Sequence, residues 1–370
     1  MSAGPSRSQD PFIGREILNG QFKILQKIGS GGMGAVYKAS QPEMNRMVAV
    51  KILHPKLTNR QDLASRLRRE ARAMSHLSHP NTARVFLYGE LEDGSLYIVM
   101  EYLEGKNLNQ TVRAEGPLSM DRALPILIQT CGALEEAHRA GIIHRDLKPE
   151  NIYFCQQGGL RDFAKVLDFG LAKVTEREMR PGSVILTQEG MVFGTPEFMS
   201  PEQAQGKTLT PASDIYSLAV ILFEVLTGKL PFDAKTAMDF LQLHVMGTPI
   251  ALSQRVPGRT FPPLLDQIMA RALAKKPEER FASAAEFGEA LSAVRDGRET
   301  PVMLPPGAST PPPPDAGRPV APIAKESRRE TGHPRAGARP NSTLKLALIG
   351  VACLVVGAVA AVIIMKLAGG

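Results

Sequence analysis

The sequence predicts an α+β protein with a small β-rich lobe, a larger helical lobe and one C-terminal transmembrane helix. Short β-branched stretches, typical of strands, dominate from Gln21 to about Leu103. Long helical stretches follow from about residue 105 to Val294. Residues 346–365 then form a run of twenty uncharged residues. As a helix this run spans ~30 Å, which matches the hydrocarbon thickness of a bilayer.

The net charge of the 370-residue chain is +7, a basic balance that can indicate nucleic acid or an anionic membrane surface as a partner. Residues 296–370 carry nine Lys/Arg against five Asp/Glu, a net charge of +4, so residues 1–295 carry only +3. Because the excess lies in the tail, we expect no nucleic acid partner. The three cysteines lie far apart without a CxxC pair, which fits a reducing compartment and argues against a structural zinc site.

Composition and pattern divide the chain into a polar lead-in, a globular part, a linker, a membrane span and a short external tail. The linker holds eleven prolines between residues 296 and 343 and cannot bury a core. We expect it to be a disordered spacer, with a ligand for a proline-recognising domain as the alternative. The predicted boundaries are 1–21, 22–294 (lobes at about 22–103 and 104–294), 295–343, 346–365 and 366–370.

Glycines in the stretch IGSGGMGAVY follow a G-x-G-x-x-G spacing at Gly29, Gly31 and Gly34. Residues without a Cβ let backbone N–H groups approach phosphate oxygens closely. The spacing alone also fits a Rossmann turn, which opens a helix. Here the stretch AVYKAS follows and indicates a strand, so we predict that the glycines join two strands of a hairpin.

Lys51 lies in the otherwise apolar strand VAVKIL. A buried ammonium needs a partner of opposite charge. Glu70, nineteen residues later on a helix predicted over 58–78, is the candidate. The alternative is a lysine at a strand edge whose ammonium reaches solvent.

The stretch IIHRDLKPEN places Asp146, Lys148 and Asn151 behind two isoleucines. Charges of both signs are costly to bury, so we expect a loop at the mouth of a core. Asp168 follows the apolar pair in VLDFGLAK, twenty-two residues after Asp146. Two carboxylates and a carboxamide are oxygen ligands that suit Mg²⁺.

These motifs, in this order, resemble the eukaryotic-like Ser/Thr protein kinases of bacterial type over about residues 22–290. The matching elements are the Gly-rich loop, V-A-V-K, H-R-D-L-K-P-E-N, D-F-G and GTPEFMSPE at 194–202. The resemblance implies the bilobal protein-kinase fold and transfer of the ATP γ-phosphoryl group to Ser/Thr hydroxyls of protein substrates, with ATP and Mg²⁺ as cofactors. Ser/Thr-specific members carry this D-L-K-P-E-N form.

By this resemblance, Asp146 orients the substrate hydroxyl and accepts its proton, and Lys148 neutralises the γ-phosphoryl group. Asn151 and Asp168 would hold the metal ions that bridge the phosphates. The histidine of the H-R-D motif is expected to pack under the phenylalanine of D-F-G.

The resemblance also implies that Lys51, fixed by Glu70, grips the α- and β-phosphates. Adenine would hydrogen-bond to backbone groups of the hinge in YIVMEYLEG. The predicted ATP-binding residues are Ile28, Gly29, Ser30, Gly31, Gly32, Met33, Gly34, Ala35, Val36, Ala49, Lys51, Glu101 and Leu103.

Four further residues are predicted to have structural roles by the same resemblance. Thr195 braces the catalytic Asp and Lys. Asp214 holds the catalytic loop and can also be the N-cap of a helix. Glu202 forms a buried ion pair with Arg280. Ser200 departs from the family, which more often has Ala at that position.

Arg145 lies directly before the catalytic Asp, and in the family such an Arg marks kinases whose activation loop is ordered by a phosphate. The loop over 168–202 contains Thr187 in ILTQEGM. Its position resembles that of the autophosphorylated Thr of bacterial members. We predict Thr187 as the main phosphorylation site, with Ser183 next.

Six basic residues lie within about twenty residues before the predicted span, and only Lys366 follows it. The positive-inside rule then predicts a single-pass protein of the cytoplasmic membrane with its kinase domain in the cytoplasm. The basic stretch would also contact anionic lipid. Cys353, Gly357 and Ala361 recur every four residues, a spacing that allows a homodimer, although Gly and Ala are also simply common in membrane helices.

Two other functions fit the same fold. A pseudokinase scaffold at the membrane would bind nucleotide without turnover. Such proteins usually lack the metal Asp, the catalytic Asp or the strand Lys, and all three are present here. A small-molecule phosphotransferase seldom carries a long segment from D-F-G to S-P-E, and that segment favours a protein substrate. The sequence therefore predicts a membrane-anchored Ser/Thr protein kinase that acts in signal transduction.

Overall fold

The structure is a computed structural model that describes residues 10–31, 34–54, 61–157, 159–169 and 195–298. Within those residues the chain forms two antiparallel sheets and nine α-helices. The strands are β1 Glu16–Ile17, β2 Phe22–Gly31, β3 Gly34–Gln41, β4 Arg46–Leu53, β5 Val85–Glu90, β6 Leu96–Glu101, β7 Gly105–Asn107, β8 Ile152–Gln157 and β9 Leu160–Val166. The helices are α1 Gln61–Met74, α2 Leu108–Glu115, α3 Met120–Arg139, α4 Pro201–Ala204, α5 Pro211–Thr227, α6 Ala237–Met246, α7 Leu252–Arg255, α8 Pro263–Ala272 and α9 Ala284–Arg295.

The N-lobe is built on a six-stranded sheet with the strand order β1-β2-β3-β4-β6-β5. Side chains alternate between the two faces of a strand. Ile24 in β2 and Val48 and Val50 in β4 therefore enter one core, where all three are fully buried. Helix α1 packs against β5 through a face that includes the buried Ala71 and Met74.

The N-lobe begins earlier than the sequence predicted, since part of the expected lead-in 1–21 belongs to its sheet. Strand β1 pairs with β2, and Ile17 is only 4% exposed. Asp10 accepts hydrogen bonds from Lys27 Nζ and Tyr37 Oη, each at 3.0 Å. Lys27 and Tyr37 lie on the two strands that flank the glycine-rich turn, so this segment ties those strands together.

The C-lobe is helical and contains the larger core. Helix α5 runs through its centre, and 14 of its 17 residues are buried. Helix α3 packs against both α5 and α9. The small sheet β7-β8-β9 adjoins two motif-bearing segments, because β8 follows the H-R-D-L-K-P-E-N stretch and β9 precedes D-F-G.

The predicted bilobal architecture is confirmed, with a β-rich N-lobe and a helical C-lobe. The predicted linker, the span 346–365 and the tail all lie outside the described residues. No helix in the described ranges has both the length and the apolar character that are needed to cross a membrane.

Candidate active site

The glycine-rich turn lies between β2 and β3, as the sequence predicted. Gly31 pairs with Gly34 at the end of the ladder, while Gly32 and Met33 fall outside the described residues. Gly34 has a φ of +148°, and a Cβ added there would lie 2.1 Å from the backbone oxygen of Ile52. Only glycine fits this position, and its small size lets the turn rest directly on strand β4.

The other predicted residues of this hairpin follow its register. Gly29 pairs with Val36, and Ser30 pairs with Ala35. Ile28 precedes them in β2 and is exposed. The structure therefore brings the described residues of this hairpin into one β-ribbon, which pairs with β4 through β3.

Lys51 points from β4 toward the C-lobe. Ala49 and Lys51 lie two residues apart and share one face of the strand, and Val36 of β3 is directly opposite Lys51. Lys51 is 7% exposed, and its ammonium lies 2.8 Å from Asp168 Oδ1. The alternative of a lysine that reaches solvent from a strand edge is therefore wrong. The predicted pairing of Lys51 with Glu70 stays a prediction.

Asp168 is held in its charged form in an unusual backbone conformation. Burial alone would raise the pKa of this carboxyl, but the adjacent Lys51 ammonium, together with His144 and Lys148, holds the pKa below its ordinary value. The φ of Asp168 is +58°, a left-handed value that costs free energy in a residue with a Cβ. The contacts around Asp168 must therefore maintain the position of this carboxylate.

The catalytic loop, which is the H-R-D-L-K-P-E-N stretch at 144–151, contributes two of three predicted residues that meet at one point. Lys148 Nζ donates to Asp146 Oδ2 at 2.8 Å and to Thr195 Oγ1 at 3.4 Å. Thr195 comes from a turn 47 residues later, so two separate segments meet at the lysine. An ammonium between a carboxylate and a hydroxyl can orient both of them.

Asn151 joins the catalytic loop to the segment that carries Asp168. Its side-chain Nδ2 donates to Asp146 O at 2.7 Å, and its backbone O accepts from Leu167 N at 2.9 Å. The amide oxygen of Asn151 and the carboxylate of Asp168 form a hard oxygen donor set. Such a set suits Mg²⁺, which keeps waters or phosphate oxygens as its other ligands. Among the described residues, no group of three or more His, Cys, Asp or Glu could hold a metal ion.

Asp214, at the start of helix α5, fixes the backbone of the catalytic loop from below. Its Oδ2 accepts from His144 N at 2.8 Å, and its Oδ1 accepts from Arg145 N at 2.9 Å. His138 Nε2 donates to the same carboxylate at 2.7 Å. Burial alone would raise the pKa of Asp214, but the bond from His138 contributes most to holding it below its ordinary value.

His144 supports the D-F-G segment. Its ring packs against the buried Phe169, with ring centroids 5.0 Å apart, as expected from the sequence. Its Nε2 lies 2.8 Å from Leu167 O, and since a carbonyl only accepts, this nitrogen carries the proton. One histidine thus contacts both residues that precede and follow Asp168.

Glu202 and Arg280 form the predicted ion pair. Arg280 Nη1 and Nη2 each lie 2.8 Å from a different carboxylate oxygen of Glu202, and both side chains are buried. Burial alone would raise the pKa of Glu202, but the guanidinium lowers it. Ser200, the departure from the family, accepts from Gln203 N at 3.3 Å and so caps helix α4.

The hinge carries Glu101 and Leu103 between the lobes. The Glu101 side chain pairs with Lys165 at 2.9 Å, and its backbone N–H donates to Arg84 O at 2.9 Å. Its carbonyl is therefore the group that it can offer to an adenine edge. Leu103 is half-buried at the start of the C-lobe.

The predicted phosphorylation sites Ser183 and Thr187 lie outside the described residues.

Two residues that support the site were not predicted from the sequence. One is His138, which belongs to no motif. The other is Gln203, whose Nε2 donates to Arg145 O at 2.8 Å. Gln203 directly follows the S-P-E stretch, and its position one residue after Glu202 is the only signal that pointed to it.

The protein kinase domain family matches residues 22–290 of the chain. The chain belongs to the protein kinase family. Its kinase domain is of the bacterial Ser/Thr type, since it is 42% identical over 285 residues to the serine/threonine-protein kinase pkn3 of Myxococcus xanthus. That match covers 77% of this chain and 52% of the relative.

Two further proteins similar to this chain are also a serine/threonine-protein kinase and a kinase domain. The serine/threonine-protein kinase PksC of Streptomyces coelicolor is 40% identical over 310 residues, which are 82% of this chain and 54% of the relative. This chain therefore spans about half the length of these two relatives. The crystal structure of the Mycobacterium tuberculosis PknI kinase domain has a TM-score of 0.57 and 26% identity, and the match covers 77% of this chain and 98% of that one.

Proposed function

We propose that this chain is a protein Ser/Thr kinase that transfers the γ-phosphoryl group of ATP to Ser/Thr hydroxyls of proteins. The single observation that carries this proposal is the contact of Lys148 with both Asp146 and Thr195. That arrangement places a base, a cation and a hydroxyl at one point. Phosphoryl transfer needs such positioning and charge neutralisation more than covalent chemistry.

The proposed roles of the site residues differ between the two lobes. Lys51, on the N-lobe sheet, provides a buried cation for the α- and β-phosphates, and the glycine-rich turn provides backbone N–H groups. In the C-lobe, Asp146 orients the substrate hydroxyl and accepts its proton, while Lys148 stabilises the charge on the transferred group. Asn151 and Asp168 would hold Mg²⁺, which supplies neutralisation of the phosphate charge.

The test compares Asp146→Asn with Asp121→Asn, an exposed aspartate of helix α3. The purified chain is incubated with labelled ATP, Mg²⁺ and a generic basic protein. We expect Asp146→Asn to lose most of the transfer and Asp121→Asn to retain it. Nucleotide binding without transfer by the unaltered chain would instead support the pseudokinase scaffold.

We further propose that the kinase activates itself by phosphorylation of Thr187, with Ser183 as a secondary site. In support, the backbone of Arg145 is held on both sides, by Asp214 and by Gln203. A guanidinium on so constrained a backbone is suited to charge-assisted bonds with a phosphate. Mass spectrometry of the active enzyme tests this, and an unmodified Thr187 in fully active protein would refute it.

We also propose that residues 346–365 anchor the chain in the cytoplasmic membrane and that the basic residues before them contact anionic lipid. The uncharged run of twenty residues and the charge asymmetry around it support this. The full chain should sediment with membranes and resist extraction by carbonate. A variant with Val355→Arg and Val359→Arg should become soluble, because arginine at the centre of a span is costly to insert. Sedimentation of both proteins with membranes would contradict the anchor.

The same span supports a proposal of homodimerisation, which would bring two kinase domains together for phosphorylation of Thr187 in trans. Its basis is the recurrence of Cys353, Gly357 and Ala361 every four residues. Gly357→Ile should slow autophosphorylation of the membrane-bound chain by widening the helix contact. Equal initial rates for the variant and the unaltered chain would leave the span as an anchor alone.

A further inference from the structure

His244 is a buried polar residue that has no role in the phosphoryl-transfer site proposed above. It lies on helix α6 and is 0% exposed. Its Nδ1 lies 2.9 Å from Tyr216 Oη on helix α5, and its Nε2 lies 3.0 Å from Glu197 O. The imidazole therefore bridges the central helix of the C-lobe and the turn that follows Thr195.

The chemistry of these partners determines where the protons lie. Glu197 O is a carbonyl and can only accept, so His244 Nε2 carries its proton and donates. In a neutral imidazole Nδ1 is then an acceptor, and the Tyr216 hydroxyl donates to it. The resulting relay has one direction, from Tyr216 through His244 to the carbonyl of Glu197.

The surroundings of His244 keep the ring neutral. Burial lowers the pKa of His244 to about 4, and the nearby Lys275 ammonium contributes to this shift. Lys275 Nζ donates to the backbone oxygens of Leu243 and His244 at the end of helix α6. A protonated ring would lose the acceptor that Tyr216 needs, so these features preserve the relay near neutral pH.

The relay adds an attachment of the segment 195–204 to the C-lobe. Near the far end of this segment, Gln203 donates to Arg145 O, and Glu202 forms the ion pair with Arg280. The Arg280 guanidinium also lies 4.9 Å from the centre of the Tyr216 ring, so the relay and the ion pair converge on helix α5. The near end carries Thr195, which is held in a short turn by the bond from Phe198 N to Thr195 O at 3.1 Å.

We propose that His244 is a positioning residue that holds the turn 195–198 where Thr195 reaches Lys148. Through Lys148 it would set the placement of Asp146 against the substrate hydroxyl. This inference rests on the proposed kinase function and adds to it a residue, on a helix that carries none of the kinase motifs, that governs the rate of the chemical step. It predicts a loss in kcat with no loss in affinity for ATP, because the ATP-binding residues lie on the opposite lobe and hinge.

The test uses three variants of the full chain. His244→Phe keeps an aromatic ring but removes both hydrogen bonds. His244→Gln restores one donor and one acceptor. Ile268→Ala, at a fully buried position of helix α8 outside the relay, serves as a control for general loss of stability. We expect His244→Phe to lower kcat by about tenfold or more, because small misplacements of reacting groups are costly. His244→Gln should recover most of the kcat, and KM for ATP should stay within about twofold in both His244 variants.

A second readout does not depend on activity. Hydrogen–deuterium exchange of the backbone amides at Phe198 and Met199 should accelerate in His244→Phe and not in His244→Gln or Ile268→Ala. A His244→Phe protein with the kcat and exchange of the control would overturn the inference. The inference would also be overturned if His244→Gln restored neither the kcat nor the slow exchange of Phe198 and Met199. If the unaltered chain lacks transfer while exchange accelerates in His244→Phe alone among the variants, the result would contradict the proposed function and support the relay.

Discussion

Lys51 and Asp168 form an ion pair with a separation of 2.8 Å between the ammonium and Oδ1. Lys51 belongs to strand β4 of the N-lobe, and Asp168 follows strand β9 of the C-lobe. The pair therefore joins the two lobes across the site where the phosphates of ATP are expected. It also places the cation proposed to bind phosphate beside one of the two oxygen donors proposed to hold Mg²⁺.

Replacement of Lys51 by methionine should abolish most phosphoryl transfer. Methionine has a similar length and is apolar, so the packing of β4 should survive. We expect kcat/KM to fall by about 100-fold or more, because a charge that acts on the transition state is lost. Labelled ATP measures the transfer, and thermal unfolding checks the fold. Lys23→Met, at an exposed position of β2, is the control and should keep full activity.

Removal of one partner of the buried ion pair between Arg280 and Glu202 should destabilise the C-lobe. Arg280→Met leaves an uncompensated buried carboxylate, which typically costs ~3–5 kcal/mol. Combination with Glu202→Gln should recover part of that loss, because the second change removes the isolated charge. Urea unfolding measures both free energies. Lys276→Met, which removes an exposed ion pair with Glu279, should leave the unfolding midpoint unchanged. An Arg280→Met midpoint equal to that of Lys276→Met would contradict a structural role for the pair.

Glu224 should make stability depend on pH. Burial, together with the nearby Glu150, raises the pKa of Glu224 to about 7 from an ordinary value of 4.5. The folded state then keeps a proton that the unfolded state releases above pH 4.5. Its contribution is therefore complete below pH 4.5 and is lost as the pH rises through 7.

Glu224→Gln mimics the protonated form and removes this dependence. We expect it to stabilise the protein at pH 8 by on the order of 2–3 kcal/mol and to change little at pH 4.5. Thermal unfolding at both pH values measures the difference. Glu289→Gln, on the exposed side of helix α9, is the matched control. An equal effect of Glu224→Gln at both pH values would show that folding does not raise the pKa of this carboxyl.

The N-terminal strand should contribute to the stability of the N-lobe. Ile17 in β1 is 4% exposed and belongs to the core with Phe22 and Ile24. Ile17→Ala should therefore cost ~2–4 kcal/mol in the free energy of unfolding. Ile13→Ala, four residues earlier and 48% exposed, should have little effect. Equal unfolding free energies for the two variants would show that β1 is only loosely attached.

The short sequence motifs could be predicted because the residues of each motif lie close together along the backbone. The glycines at 29, 31 and 34, the apolar strand around Lys51 and the D-L-K-P-E-N stretch each lie within a few residues. Their geometry follows from local backbone conformation and from the two-residue period of a strand. By contrast, a strand of two residues such as β1 has no period to detect, so Asp10 and Ile17 could not be assigned to the N-lobe in advance.

Hydrophobic period and motif spacing predicted the two lobes, the glycine-rich hairpin and the candidate site residues, because both are local properties of the chain. The contacts of Lys51 with Asp168, of His138 with Asp214 and of His244 with Tyr216 and Glu197 depend on tertiary packing. The partners in these contacts are separated by 28 to more than 100 residues. A hydrogen bond or ion pair between them exists only where helix and sheet packing brings their atoms within about 3 Å. A single buried histidine carries no pattern that reveals which partners it will meet.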